Sequence, residues 1–196
     1  MSSIVAKAYQ RSHLILRSFS YRNPTFLVKL FTTYVRTLLE YASPVWNQLL
    51  IRDIDLIEGV QAFFTRRICY VEGSYMERLA ALNLEPLELR RLQRDLCDVY
   101  KIVRCPDYSL APDDFFDVLP VNSNRRSHNF MLKARLFLPL HRTLDVRKYS
   151  FACRTVEIWN SLPAAVAESS SLSKFRYSLL AIESTQFNKF LLGNRL

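Results

Sequence analysis

The only Asp-Asp pair in the sequence, Asp113 with Asp114, is where phosphoryl-transfer chemistry would have to sit. Polymerases and nucleases hold two metal ions roughly 4 Å apart on clustered carboxylates. This pair follows Pro112, has no apolar strand before it and no evident third carboxylate, so a solvated turn is the expectation. A tetrahedral zinc site needs ligands in short-spaced pairs. Cys97 and Cys105 are eight residues apart, and His128, His141 and Cys153 follow one another at thirteen and twelve, so none has finger or knuckle spacing. No metal or cofactor site is therefore expected; the cysteines are read as packing residues and the histidines as surface residues. Nucleophile motifs of the serine or cysteine hydrolase type are absent from the sequence.

The basic residues carry a stronger signal. Lysine plus arginine number 27 against 18 acidic residues, a net charge of +9, which favours a polyanionic partner. Their distribution is uneven: the net charge is +5 over 1–47, −4 over 48–124, +7 over 125–154 and +1 over 155–196. In the third segment Arg125, Arg126, Lys133, Arg135, Arg142, Arg147, Lys148 and Arg154 are interleaved with Phe130, Phe137, Tyr149 and Phe151. Cations neutralise phosphates and exposed rings stack on unpaired bases, so RNA, DNA or a hybrid duplex is the expected partner. The alternative is that the rings are core and the charges an ordinary solvated face. Lys7, Arg11 and Arg17 form a second basic set near the start of the chain. Trp46 and Trp159 read as core anchors. Arg90, Arg91 and Asp95 read as helix-surface pairs.

These residues must be held by helices. Only 3 glycines are present, too few for the turns of an all-β protein or for glycine-rich phosphate loops. At about 100° per residue, Ile4, Val5, Ala8, Ser12, Ile15, Leu16 and Phe19 fall on one arc, with Lys7, Gln10, Arg11, His13 and Arg17 opposite and Leu14 misplaced. Asn23 before Pro24 predicts an N-cap and a second helix burying Leu27, Leu30, Phe31, Tyr34, Leu38 and Ala42, ended by Pro44. A third helix is expected over Asp53–Tyr70 with Ile54, Ile57, Val60, Phe64 and Ile68 inward, its last turn complemented by Arg66 and Arg67. A short helix over Tyr75–Leu82 and a longer one over Pro86–Arg104, with Leu89, Leu92, Leu96, Val99 and Val103 inward, complete the first half.

Residues 105–124 read as a linker loop of Pro, Asp, Ser and Asn, the expected boundary between 1–104 and 125–196. Beyond it, His128–Ala134 and Leu136–Thr143 suit two short strands, and Tyr149–Leu162 a helix stopped by Pro163. Ser171 predicts the cap of a last helix burying Leu172, Phe175, Leu179 and Ile182. Hydrophobic residues at 49% and aromatics at 13% exclude a mostly disordered chain. No apolar run approaches the roughly 18 residues of a membrane span and no secretory signal is evident, so an intracellular location is expected, with the nucleus open to it.

Several strings, in order, carry a resemblance. They are YVRTLLEYASPVW over 34–46, Gln61 with Thr65-Arg66-Arg67-Ile68, Tyr75 with Glu77-Arg78-Leu79, Arg90-Arg91 with Asp95-Leu96, and Val99-Tyr100-Lys101-Ile102. Ser150-Phe151 with Arg154, Trp159-Asn160-Ser161-Leu162-Pro163, and Ser171-Leu172 with Phe175 follow. Together they resemble the C-terminal part of the reverse transcriptase of jockey-like non-long-terminal-repeat retrotransposons. The resemblance implies a mainly α fold: a helical thumb-like bundle over about 1–104, then a basic extension with a short β-hairpin and two C-terminal helices. It also implies that the catalytic palm, with its aromatic-x-Asp-Asp motif, lies upstream. This chain then looks like a truncated copy that binds template-primer without catalysis, with the palm as a further partner. The sequence departs from other lineages of such elements in having no Cys/His knuckle. A helical protein-interaction scaffold is the competing expectation.

Overall fold

Alternation of buried and charged positions along the first segment produces its helix, α1 (Ser2–Ser18), in a computed structural model that describes residues 2–20, 23–41, 51–68, 73–119, 128–135 and 150–182. These residues build a mainly helical protein with one short antiparallel hairpin. The chain divides into two compact units, Met1–Arg91 and Leu92–Leu196.

In the first unit Val5, Ala8, Ser12, Ile15 and Leu16 of α1 are buried, as the periodicity requires, and Leu14 is exposed. Asn23 accepts the Phe26 N–H at 3.1 Å and Pro24 opens α2 (Pro24–Tyr34). The helix breaks at Val35 and resumes as α3 (Arg36–Glu40). The buried face differs from the expected one and follows a four-residue spacing that continues through Val35. Leu27, Phe31, Val35 and Leu39 are buried, while Leu30 and Leu38 are only half-buried and Tyr34 is 55% exposed. Ala42, Pro44 and Trp46 lie outside the described residues.

Against these pack α4 (Ile51–Ile68), with Ile57, Val60, Phe64 and Ile68 in the core and Phe31 stacked on Phe64 at 4.7 Å. Burial of each such side chain contributes about 1.5–3 kcal/mol. Helix α5 (Tyr75–Ala81) starts with a reciprocal capping box: the Ser74 N–H donates to Glu77 at 2.6 Å and the Glu77 N–H to Ser74 Oγ at 3.3 Å. Gly73 precedes it at φ 152°, where an added Cβ would lie 2.6 Å from Glu77 Oε2, so a larger residue cannot enter this cap unstrained. Helix α6 (Leu87–Arg104) begins in the first unit and the division falls within it, after Arg91.

In the second unit a 3-10 turn (Pro112–Asp114) leads into β1 (Phe116–Val118), which pairs antiparallel with β2 (Leu132–Ala134) in the register Phe116↔Ala134, Asp117↔Lys133 and Val118↔Leu132. The hairpin is present, but its strands differ from the expected ones. Its first strand comes from the stretch read as a loop, its second from within His128–Ala134, and Leu136–Thr143 lies outside the described residues. Phe116 explains the difference: a single buried aromatic with Asp117 beside it gives too short an alternation to stand out from a Pro- and Asp-rich stretch. Helices α7 (Phe151–Asn160), α8 (Ala164–Ala167) and α9 (Leu172–Ala181) follow, α7 capped by Ser150 and α9 by Ser171. Trp159, Phe175 and Tyr100 meet at the centre, with ring centroids 5.8 Å apart for the first pair and 4.7 Å for Tyr100 and Phe175.

Candidate functional site

Helix α1 turns its cations away from the core because its apolar stripe is already buried. Lys7, Arg11 and Arg17 are all exposed. They occupy an arc of about 120° at 100° per residue. Arg11 is additionally anchored, its Nη1 donating to the Tyr34 carbonyl at 3.0 Å.

The second basic set is only partly seen. Arg125, Arg126, Arg142, Arg147 and Lys148 lie outside the described residues, as do Phe137, Tyr149 and His141. Lys133 is exposed on β2, directly across the ladder from Asp117. Arg135 is committed to its own hairpin. Its guanidinium bonds Asp117 Oδ1 at 2.8 Å through Nε and 2.6 Å through Nη2, and also the Asp113 carbonyl. Asp113 and Asp114 are exposed in their turn. Among the described residues no three His, Cys, Asp or Glu side chains converge as metal ligands.

Several residues read as surface groups are instead internal clamps. Arg91 and Asp95 are 2% and 1% exposed, not a helix-surface pair, and Arg154 Nε reaches Asp95 Oδ2 at 3.0 Å in an ion pair buried on both sides. Such a pair repays its desolvation only through good geometry. Arg154 is therefore taken up by Asp95 rather than offered to phosphate. The two rings of the basic segment among the described residues are spent on packing: Arg104 lies 4.0 Å over Phe130, and Phe151 packs on Phe115 and Phe116. His128 is buried rather than at the surface. Its Nδ1 accepts the Phe130 N–H at 3.2 Å, so Nε2 must carry the proton it shares with the Trp159 carbonyl at 3.0 Å. Trp159 Nε1 in turn donates to the Phe130 carbonyl at 2.7 Å, while Asn160 both accepts from the Leu132 N–H at 2.9 Å and donates to its carbonyl at 2.8 Å. Asn160 thus completes β2 as a third strand would. The Trp-Asn string is legible as the clamp that holds the hairpin to α7.

A comparable polar network sits in the first unit. Glu58 accepts the Leu87 N–H at 3.2 and 3.1 Å, capping α6, and also accepts the Tyr75 hydroxyl. Gln61 Nε2 bridges Tyr75 Oη and the Glu85 carbonyl, each at 3.0 Å. Burial pushes the Glu58 carboxyl above its ordinary range, against the pull of these hydrogen bonds, and burial together with the Glu58 charge pushes the Tyr75 hydroxyl up.

One exposed constellation is not evident from the sequence. Arg67 Cζ lies 3.6 Å from the centroid of the Phe63 ring, its Nη1 donates to the Phe63 carbonyl at 3.2 Å, and the His13 ring lies 4.7 Å from the same centroid. Tyr9 meets Phe63 edge-on at 5.2 Å. The spacing of Phe63 and Arg67 by one helical turn is a usable signal; the arrival of His13 from another helix is not.

The sequence matches no family profile, and no solved structure matches it. An uncharacterized protein of Caenorhabditis elegans, B0403.1, is 32% identical over 123 residues, a match covering 56% of this chain and 62% of that relative. The chain thus spans under two thirds of the length of the curated relative it matches. No helix of the described residues is long and apolar enough to cross a membrane.

Proposed function

We propose that this chain corresponds to the thumb and C-terminal region of a retrotransposon reverse transcriptase and acts as a non-catalytic nucleic-acid-binding element. The observation that carries the reading is the two-sidedness of α1: its apolar face is consumed by the core, leaving Lys7, Arg11 and Arg17 displayed to solvent. Cations so placed serve a polyanion, and phosphate contacts position a duplex without reading its sequence. Lys133 and the basic residues at 125, 126, 142, 147 and 148 add to this attraction; Arg135 adds less, because Asp117 already neutralises it. The ordered strings over most of the chain support the assignment to the element. With such a partner the chain works inside the cell, the nucleus included.

The second reading, a helical protein-interaction scaffold, draws on Leu14, Tyr34 and Tyr41, exposed apolar groups of the first unit. Titration of labelled hybrid duplex at several salt concentrations separates the two. Replacing Lys7, Arg11 and Arg17 together by Ala should weaken binding and flatten the log-log salt dependence by about 0.9 for each phosphate no longer neutralised. Equal slopes for wild type and variant would leave the scaffold reading standing.

A further inference from the structure

A guanidinium centred over a ring brings a planar cation to a place where another flat group can stack. Arg67 meets that description. Its guanidinium sits 3.6 Å above Phe63, and the bond from Nη1 to the Phe63 carbonyl fixes it there. Arg67 and His13 are nonetheless exposed, as is Arg66 beside it. Arg17 follows His13 by one helical turn on the same side of α1, so a second cation flanks the ring cluster. Phosphate attraction alone would need none of this order, since a mobile lysine serves as a point charge.

We infer that the Phe63–Arg67 stack with His13 is a seat for an unpaired nucleobase, Arg66 and Arg17 holding the phosphates on either side, so that this unit takes single-stranded nucleic acid as well as duplex. The inference deepens the nucleic-acid reading and rests on it. Unpaired bases are recognised by stacking on aromatic side chains or on Arg guanidinium planes. Because every base offers a π-face, the seat is tolerant of sequence.

The decisive comparison is between a short single strand, made as DNA and as RNA, and an abasic strand of the same length and charge, each titrated by fluorescence anisotropy against the full chain. Arg67→Lys keeps the charge and the helix-end position while removing the plane. It should weaken binding of the base-bearing strands by about 5-fold or more, the scale of a single base stack, and leave the abasic strand unchanged. His13→Ala should act in the same direction, and circular dichroism verifies that both variants fold. Equal weakening on base-bearing and abasic strands, or none at all, would overturn the seat. So would competition by poly-glutamate as effective as that by the oligonucleotide, which would mark the cluster as a site for acidic protein. Duplex binding that depends on Lys7, Arg11 and Arg17, found together with single-strand binding in which Arg67→Lys shows no base effect, would sink this inference alone. Single-strand binding sensitive to Arg67→Lys, found together with duplex binding indifferent to the three α1 cations, would instead sink their assignment as the duplex grip.

Discussion

The two units solve the problem of burial differently. Met1–Arg91 closes mainly by apolar stripes: α1, α2, α3 and α4 satisfy most of their own backbone groups and meet through residues such as Ala8, Leu27, Phe31, Val60 and Phe64. Leu92–Leu196 contains a hairpin of two three-residue strands and several turns, whose backbone groups cannot all pair locally. It closes them with side chains drawn from far along the chain: Trp159 on Phe130, Asn160 on Leu132, His128 on Trp159, and Tyr100 Oη on the Ser169 carbonyl at 2.7 Å. Helices can be sealed by apolar packing alone, whereas short strands and turns need partners of complementary polarity, because an unpaired buried polar group costs about 1–3 kcal/mol.

The comparison breaks most visibly at Trp159. It is fully buried, fills the centre of the second unit and donates to Phe130. Trp159→Ala should cost about 3–5 kcal/mol, the range for truncating a large buried aromatic, with the stranded Phe130 carbonyl adding to it. Hydrogen-exchange mass spectrometry should find the loss of protection concentrated in 128–135 and 151–182. A uniform loss across both units would mean that they do not unfold as separate entities.

In the first unit the expected failure is purely one of packing. Leu39→Ala should cost about 2–5 kcal/mol, and Leu38→Ala clearly less, since Leu39 is fully buried and Leu38 only partly. Urea midpoints of the two variants test the buried Leu27–Phe31–Val35–Leu39 face; the reverse order would restore the expected Leu30–Tyr34–Leu38 stripe.

The smallest effect sharpens the comparison, because Glu58 is a polar clamp of the second unit's kind set among the stripes of the first. Its carboxyl is raised above the ordinary 4.5 chiefly by burial. A raised carboxyl contributes stability that is full below the unfolded pKa and is lost as pH rises through the folded value. Wild type should therefore lose this component from about pH 4.5 upward, and Glu58→Gln should flatten that part of the profile whatever its absolute stability. Glu77 has the opposite sign. Its carboxylate is held below 4.5 by its hydrogen bonds to Ser74, so its support is present above that pH and lost as pH falls. A Glu58→Gln profile parallel to wild type would show the carboxyl to be solvated rather than buried.

Legibility follows the same division. The helices of the first unit and the cap at Asn23 are readable within one to a few residues, and the Ser171 cap in the second as well, because N-cap chemistry and helical period are local. The Ser74–Glu77 capping box carries a local signal of the same kind, Ser followed three residues later by Glu, though it is not among the expected caps. The strands are not, since β1 is three residues long and its partner lies beyond an interval that no local rule spans. Of the candidate site, Lys7, Arg11 and Arg17 can be placed outward from the helical period alone. The fates of Arg135 and Arg154 cannot, because each depends on an acid that only folding brings near: Asp117 across the hairpin and Asp95 from 59 residues away.

By itself, then, the sequence determined what is periodic or adjacent: the helical class, the buried stripe of α1, the caps and the outward cations. The tertiary structure alone decided which polar residues are surface and which are clamps. A charged or aromatic side chain has the same type and spacing in both roles, and its energy is settled by the partner and the dielectric that the fold supplies. That is why Arg91, Asp95 and His128 ended in the interior, while the Phe63–Arg67 stack was left facing solvent with His13 beside it.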